Sequence, residues 1–215
     1  MYCDERFAIA MASAALDQPF TSLPATTGDA KTTHPPLIGF TGKRNVGKST
    51  AARHLVENYR FSSIHAFGGG RAAAYEYFGY LTGDYSLANR MVYGDLKDVP
   101  SHFLPGEVAP RHFLERFGKF MGVEMGVPWT LGMEIDRARR FHPQARIVCE
   151  SIVYEVDYFR ECGGVVIRLE RPDHEGPAGF ESDEAQAAIV ADLTISARSV
   201  ESLLSQVESA VYRLL

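Results

Sequence analysis

Cysteine is scarce in this chain. Cys3, Cys149 and Cys162 are the three among 215 residues, and none forms a CxxC pair. That spacing excludes a disulfide framework and suits free thiols in a reducing compartment. The seven histidines include no HxxxH pair, so a zinc site is not expected. No apolar run approaches the length of about 18 residues that a membrane helix requires. Positive charge is also short. Lys and Arg number 22 against 27 Asp and Glu, for a net charge of −5. This argues against a surface that coats nucleic acid, while leaving room for a local basic pocket. There is no internal repeat and no low-complexity tract. What remains is ordinary for one globular domain: 46% hydrophobic and 23% charged residues, in a chain long enough to bury a sizeable core.

Against that background one octapeptide stands out. Gly42-Lys43-Arg44-Asn45-Val46-Gly47-Lys48-Ser49 reads GxxxxGK[ST], a turn whose successive backbone N–H groups cradle phosphate. Lys48 is placed to reach the β- and γ-phosphates of a nucleotide, and the Ser49 hydroxyl to ligate Mg²⁺. The dipole of the following helix favours the same anion. Pro36–Thr41 before the motif reads as a short buried strand, and Lys48–Tyr59 after it as a helix with Ala51, Ala52, Leu55, Val56 and Tyr59 near one stripe. Strand, glycine turn and helix is the context the motif needs. The expected nucleotide-binding set is Gly42, Arg44, Asn45, Val46, Gly47, Lys48, Ser49 and Thr50, with ATP and Mg²⁺ as the cofactors.

Residues 1–35 read as a flexible extension rather than part of the domain. Asp4 and Glu5 stand where a signal peptide carries positive charge. Phe7–Leu16 has the composition of a short helix, and 18–36 is rich in Thr, Pro, Ala and Gly. From residue 36 to 215 strands and helices alternate. Expected strands are Phe61–Phe67, Arg146–Ser151, Val165–Glu170 and Leu193–Ile195. Expected helices are one opened by the Gly68–Gly70 triplet and running through Tyr77, then Arg111–Met121, Val153–Cys162, Glu184–Ala191 and Val200–Leu214. Tyr80–Pro110 reads as irregular. The basic trio Arg137, Arg139 and Arg140 reads as a solvated helix face. Alternation of this kind implies an α/β fold with a parallel sheet covered on both faces and chemistry at the C-terminal strand ends.

Several segments, in order, resemble the phage-type deoxynucleoside monophosphate kinases, a branch of the P-loop nucleoside monophosphate kinases. They are Ile38–Gly42 leading into the phosphate loop, Tyr93–Asp98, Pro110–Gly118, Trp129, Phe159–Ile167 with Arg171-Pro172, and finally Glu184 and Ala191–Ile195. The resemblance spans about residues 36 to 212. It implies a P-loop fold with a helical acceptor-binding insertion at about 70–145 and a lid-like loop at about 171–183. It implies transfer of the ATP γ-phosphate to a deoxynucleoside monophosphate (dNMP) in the cytoplasm of a host cell. The implied partner is thus a small nucleotide, with no membrane, no need for nucleic acid and room for a homodimer.

The resemblance also suggests residue roles. Arg111 matches the position that grips the acceptor phosphate, as a guanidinium can do with two donors at once. Lys97 lies in the matching Lys-acid segment. Glu115 and Trp129 are candidates for selecting the base, by hydrogen bonding and by stacking. Arg171 and Arg71 join Lys48 as candidates to neutralise charge on the transferring group. Three positions depart from the pattern. Aligned without gaps, Cys149 stands where the family has its metal-side Asp and Ser151 where it has an Arg, leaving Glu150 as the candidate metal ligand beside Ser49. Only Arg71 is available for the Lys that follows the second strand. No Arg stands near Glu124–Gly126. Two other readings stay open: a P-loop kinase acting on another hydroxyl, on a nucleoside or a modified base in DNA, and a nucleotide-binding protein without catalysis.

Overall fold

The chain divides into two units, 1–34 and 35–215. A computed structural model describes residues 36–174, 176 and 181–214, all within the second unit. The extension read at 1–35, with Cys3, and parts of the loop read at 171–183 lie outside the described residues.

Five parallel strands form one sheet: β1 Leu37–Thr41, β2 Phe61–Ile64, β3 Arg146–Cys149, β4 Gly164–Glu170 and β5 Leu193–Ser196. Their order is β2-β3-β1-β4-β5. All five residues of β1 are buried, as expected for a central strand covered on both faces. Its side chains alternate between two cores. Ile38 and Phe40 pack with Val148, Ile167 and Leu169 against α1 (Lys48–Tyr59) and α8 (Val200–Leu214). On the other face Leu37 joins Ile147, Cys149 and Val166 under α5 (Val127–Phe141) and α6 (Val156–Glu161). Gly39 lies on that second face because a Cβ there would fall 2.6 Å from Ile152 Cγ1.

Between β2 and β3 the chain makes a helical insertion: α2 Gly68–Thr82, α3 Tyr85–Val92, α4 Pro110–Lys119 and α5. The first three share a core of their own, with Phe78, Met91, Val92 and Leu114 buried in it. Helix α7 (Glu181–Ala188) follows β4. The result is an α/β, P-loop NTPase-like fold. No described helix is long and apolar enough to cross a membrane.

Several expected elements differ from the structure. Strand β3 ends at Cys149 instead of Ser151, α4 runs Pro110–Lys119, α7 begins at Glu181, and α5 is not among the expected elements. Strand β2 stops at Ile64, because His65 and Ala66 already turn toward α2. Helix α2 runs on to Thr82, where Gly83 adopts a left-handed φ of 68°. The stretch read as irregular from Tyr80 contains α3, capped by Asp84, whose carboxylate accepts from the N–H groups of Ser86 and Leu87. Helix α6 begins only at Val156, after a loop in which Val153 N–H donates to the Glu155 carboxylate at 2.9 Å.

Candidate functional site

The phosphate loop joins β1 to α1 at the centre of the sheet. Strands β3 and β4 flank β1, so the loop opens into the crevice between them, where ligands of open parallel sheets bind. Its shape depends on backbone torsions. Gly42 has φ 132°, Asn45 62° and Gly47 108°. A Cβ on Gly42 would meet the carbonyl oxygen of Leu169 at 2.3 Å, and one on Gly47 would meet Leu203 of α8 at 2.7 Å. Both positions thus need glycine for torsion and for space. Val46 is buried beneath the loop and Thr50 half-buried in the first turn of α1. The Lys48 ammonium donates to the carbonyls of Gly42 and Lys43, the latter at 2.8 Å, so the side chain folds over the loop.

Strand parity decides which residue after β3 meets this loop. Cys149 points into the core under α5 and α6 and is fully buried, and burial pushes its thiol far above the usual range. Glu150 falls on the opposite face, with Val148, toward α1. The Ser49 hydroxyl donates to its Oε2 at 3.5 Å and that of Ser63 to its Oε1 at 3.2 Å. A hydroxyl and a carboxylate oxygen are hard ligands of the kind Mg²⁺ accepts, and Mg²⁺ usually takes only one or two protein oxygens beside water and phosphate. The two side chains therefore fit the ion.

One cavity of about 860 Å³ extends from the loop to the helical insertion. Among the residues expected from the sequence it is lined by Arg44, Asn45, Lys48, Ser49, Arg71, Lys97, Arg111 and Glu115. Trp129 and Arg171 are not brought to it: both are exposed, Trp129 in the first turn of α5 and Arg171 just beyond β4. The cavity also takes His65, Asp98, Arg116, Lys119, Tyr154, Glu155 and Gln186, which the sequence reading does not single out. Two of these have a legible signal: Asp98 ends the Lys-acid segment, and Lys119 lies two helical turns beyond Arg111 and one beyond Glu115 on α4.

The electrostatics of this cavity run against those of the chain. Its described lining carries seven Lys and Arg side chains, at positions 44, 48, 71, 97, 111, 116 and 119. Three carboxylates face them, Asp98, Glu115 and Glu155. Burial, with Arg71 and Arg111 nearby, pushes Lys97 down to about 8. Burial holds the Glu155 carboxyl above its usual range. Arg71 reaches in from the first turn of α2, its guanidinium 4.6 Å from the Tyr93 ring centre and its buried Nε without a hydrogen-bond partner among the described residues. Arg111 is held by Asp98 through two parallel bonds, Nε to Oδ1 and Nη2 to Oδ2, the second at 2.7 Å. That ion pair keeps the Asp98 carboxyl below the usual range.

The glycine triplet at the start of α2 has a different use. Gly69 N–H donates to Glu134 Oε1 at 2.7 Å, and a Cβ on Gly68 would fall 2.8 Å from the same carboxylate. A buried side chain of α5 thus already occupies this helix N-terminus and ties α2 to the insertion helix that packs on the sheet.

No family model matches the chain, and no curated protein is similar to it. Among solved structures it is similar to the Thermus thermophilus protein TT1252, with 16% identity over 85% of this chain and 98% of that one, at a TM-score of 0.45. It is also similar to a Chloroflexus aurantiacus protein that bears a provisional kinase designation, with 13% identity over 83% and 97% of the two chains and a TM-score of 0.42. Likenesses this distant bear on neither substrate nor mechanism.

Proposed function

We propose that the chain transfers the γ-phosphoryl group of ATP to the phosphate of a deoxynucleoside monophosphate. The observation that carries this reading is a continuous cavity, lined by described residues, that joins a phosphate loop to a second group of cations on the insertion, in a chain whose net charge is −5. Two phosphate-bearing ligands meeting head to head need such an arrangement. A phosphate loop alone serves one.

Phosphoryl transfer depends on position and charge neutralisation more than on covalent chemistry. The backbone N–H groups of the loop and Lys48 hold the donor phosphates. Ser49 and Glu150 would hold Mg²⁺, which when bound neutralises charge on the β- and γ-oxygens. Lys97 and Arg111 hold the acceptor phosphate. Arg71, within electrostatic reach of both Glu150 and Lys97, meets charge on the group in transit. Glu115, one turn beyond Arg111 on α4, is placed to read the base.

The test is a panel of the four dNMPs and a DNA duplex, each with ATP and Mg²⁺, followed by ADP release. Turnover of at least one dNMP, abolished by EDTA, is expected. Turnover of DNA alone would replace the acceptor in this reading. No ADP release with any acceptor would leave a nucleotide-binding protein.

A further inference from the structure

His65 stands just past the C-terminal end of β2, on the wall of the cavity. Its backbone and its ring both serve the turn into α2. The His65 carbonyl accepts from Gly68 N–H at 2.8 Å, and ring Nδ1 accepts from Phe67 N–H at 3.0 Å. A ring nitrogen that accepts from a backbone amide carries no proton. A neutral imidazole must then carry its proton on Nε2. The ring is kept neutral by its surroundings. Burial, with Arg71 of α2 and Lys97 of the loop after α3 close by, pushes its pKa down to about 3.

From this geometry we propose that His65 is a neutral hydrogen-bond donor, through Nε2–H, to a phosphate oxygen of the acceptor nucleotide. The inference rests on the function proposed above and adds a residue to it. Its logic is one of charge density. Arg71, Lys97 and Arg111 already crowd this wall with positive charge, and a fourth cation among them would add repulsion in every state without ligand. A phosphate monoester offers three terminal oxygens, more than Lys97 and an Arg111 already shared with Asp98 satisfy. A neutral N–H fills the remaining direction at no cost in repulsion and fixes the orientation of the phosphate. His65 is in this sense a positioning and binding group rather than a proton carrier, because its only basic nitrogen is committed to the turn.

Two substitutions separate this role from simple closure of the turn. His65→Asn keeps an acceptor for an N–H two residues on, the ordinary Asx turn, but withdraws the far donor. His65→Gln offers an N–H at nearly the reach of Nε2 but gives up the turn acceptor. The experiment measures KM for ATP and for the best dNMP, kcat and the thermal midpoint for the full chain and both variants. It adds long-range proton–nitrogen NMR of the imidazoles in the wild type. His65→Asn should raise the dNMP KM roughly tenfold or more, as for a lost bond to a charged group, with ATP KM and thermal midpoint near wild type, and His65→Gln should recover part of that loss. NMR should show Nδ1 bare and Nε2 protonated. An Asn variant with wild-type dNMP KM, or a proton on Nδ1, would overturn the proposal. Titration of the wild type with inorganic phosphate reads the contact without turnover. A shifted Nε2–H signal supports the phosphate contact even where no dNMP is phosphorylated. An unmoved signal rejects it even where dNMPs are good substrates.

Discussion

The two ends of the cavity are built by different means. The phosphate-loop end takes its shape from backbone: left-handed torsions at Gly42, Asn45 and Gly47, packed against β4 and α8. The insertion end is made of side chains. Arg71, Lys97 and Arg111 come from α2, the turn after α3 and α4, which rest on a small core of their own. A backbone site has one shape and tolerates little substitution. A side-chain site can be retuned one residue at a time, so acceptor preference can change while donor binding stays constant.

If that division holds, substitutions at the two ends should separate kinetically. The largest effect is expected for Lys48→Ala, which should lower kcat by roughly 10²–10³, as for other preorganised charge stabilisers. An unchanged kcat would remove the phosphate loop from the chemistry. Gly42→Ala comes next, because its Cβ would press on a backbone carbonyl that cannot move aside. It should raise the KM for ATP at least tenfold, with little change for the acceptor, in initial-rate measurements at varied ATP. Arg111→Ala should do the reverse, raising acceptor KM by roughly 10–100-fold, the loss of about 1.5–3 kcal/mol in charge-assisted bonding. Arg111→Lys should recover little, lacking the two-donor fork. Equal effects on both substrates would mean that the two ends are not separable.

A smaller effect is expected from pH. Lys97 is protonated below about 8 and loses its charge above it. Its contribution to holding a phosphate is therefore complete below that pH and lost as pH rises through it. Acceptor kcat/KM, which reports ionisations of the free enzyme, should fall between pH 8 and 9 for the wild type, and Lys97→Met should lack that fall. The smallest change should come from Asp98→Asn. If Arg111 grips the acceptor as proposed, the carboxylate would compete with that phosphate for its fork across a partly exposed ion pair. Pairs of this kind are worth about 0–1 kcal/mol, so acceptor KM should drop by a few-fold at most. A marked rise would show that Asp98 aims Arg111 instead.

The same division decides what was legible in the sequence. The phosphate loop, β1 and α1 were readable because torsion, spacing and burial there are set by neighbouring residues. Helix α3 is masked in the sequence although its cap, Asp84, stands there, because the Gly and Pro around it have the composition of a loop. The metal-side ambiguity between Cys149 and Glu150 needed strand parity, which became fixed only once Ile147 and Val148 were assigned to their cores. His65 has no local signal, and Asp98 is marked only as part of the Lys-acid segment, with nothing local to pair it with Arg111. The one matters because Arg71 and Lys97 fold around it, and the other because a residue 13 positions away closes on it. Trp129, suggested by likeness of order alone, lies away from the cavity. The placement of side chains by tertiary structure is what a linear reading lacks.

The packing of Gly47 against Leu203 has a consequence in time. The strand that carries the phosphate loop pairs with nothing near it in sequence: Leu37 waits for Ile147 and Gly164. The loop's second glycine then waits for a helix more than 150 residues later. At about 5–20 residues per second of synthesis, a ribosome would need on the order of ten to thirty seconds to make the intervening chain. Until α8 is made, the segment that looks most complete in the sequence lacks the packing that Leu203 gives Gly47, although β3 and β4 already flank its strand. If the loop binds ATP as proposed, an ATP resin should retain the released full-length protein and fail to retain a nascent chain halted before α8.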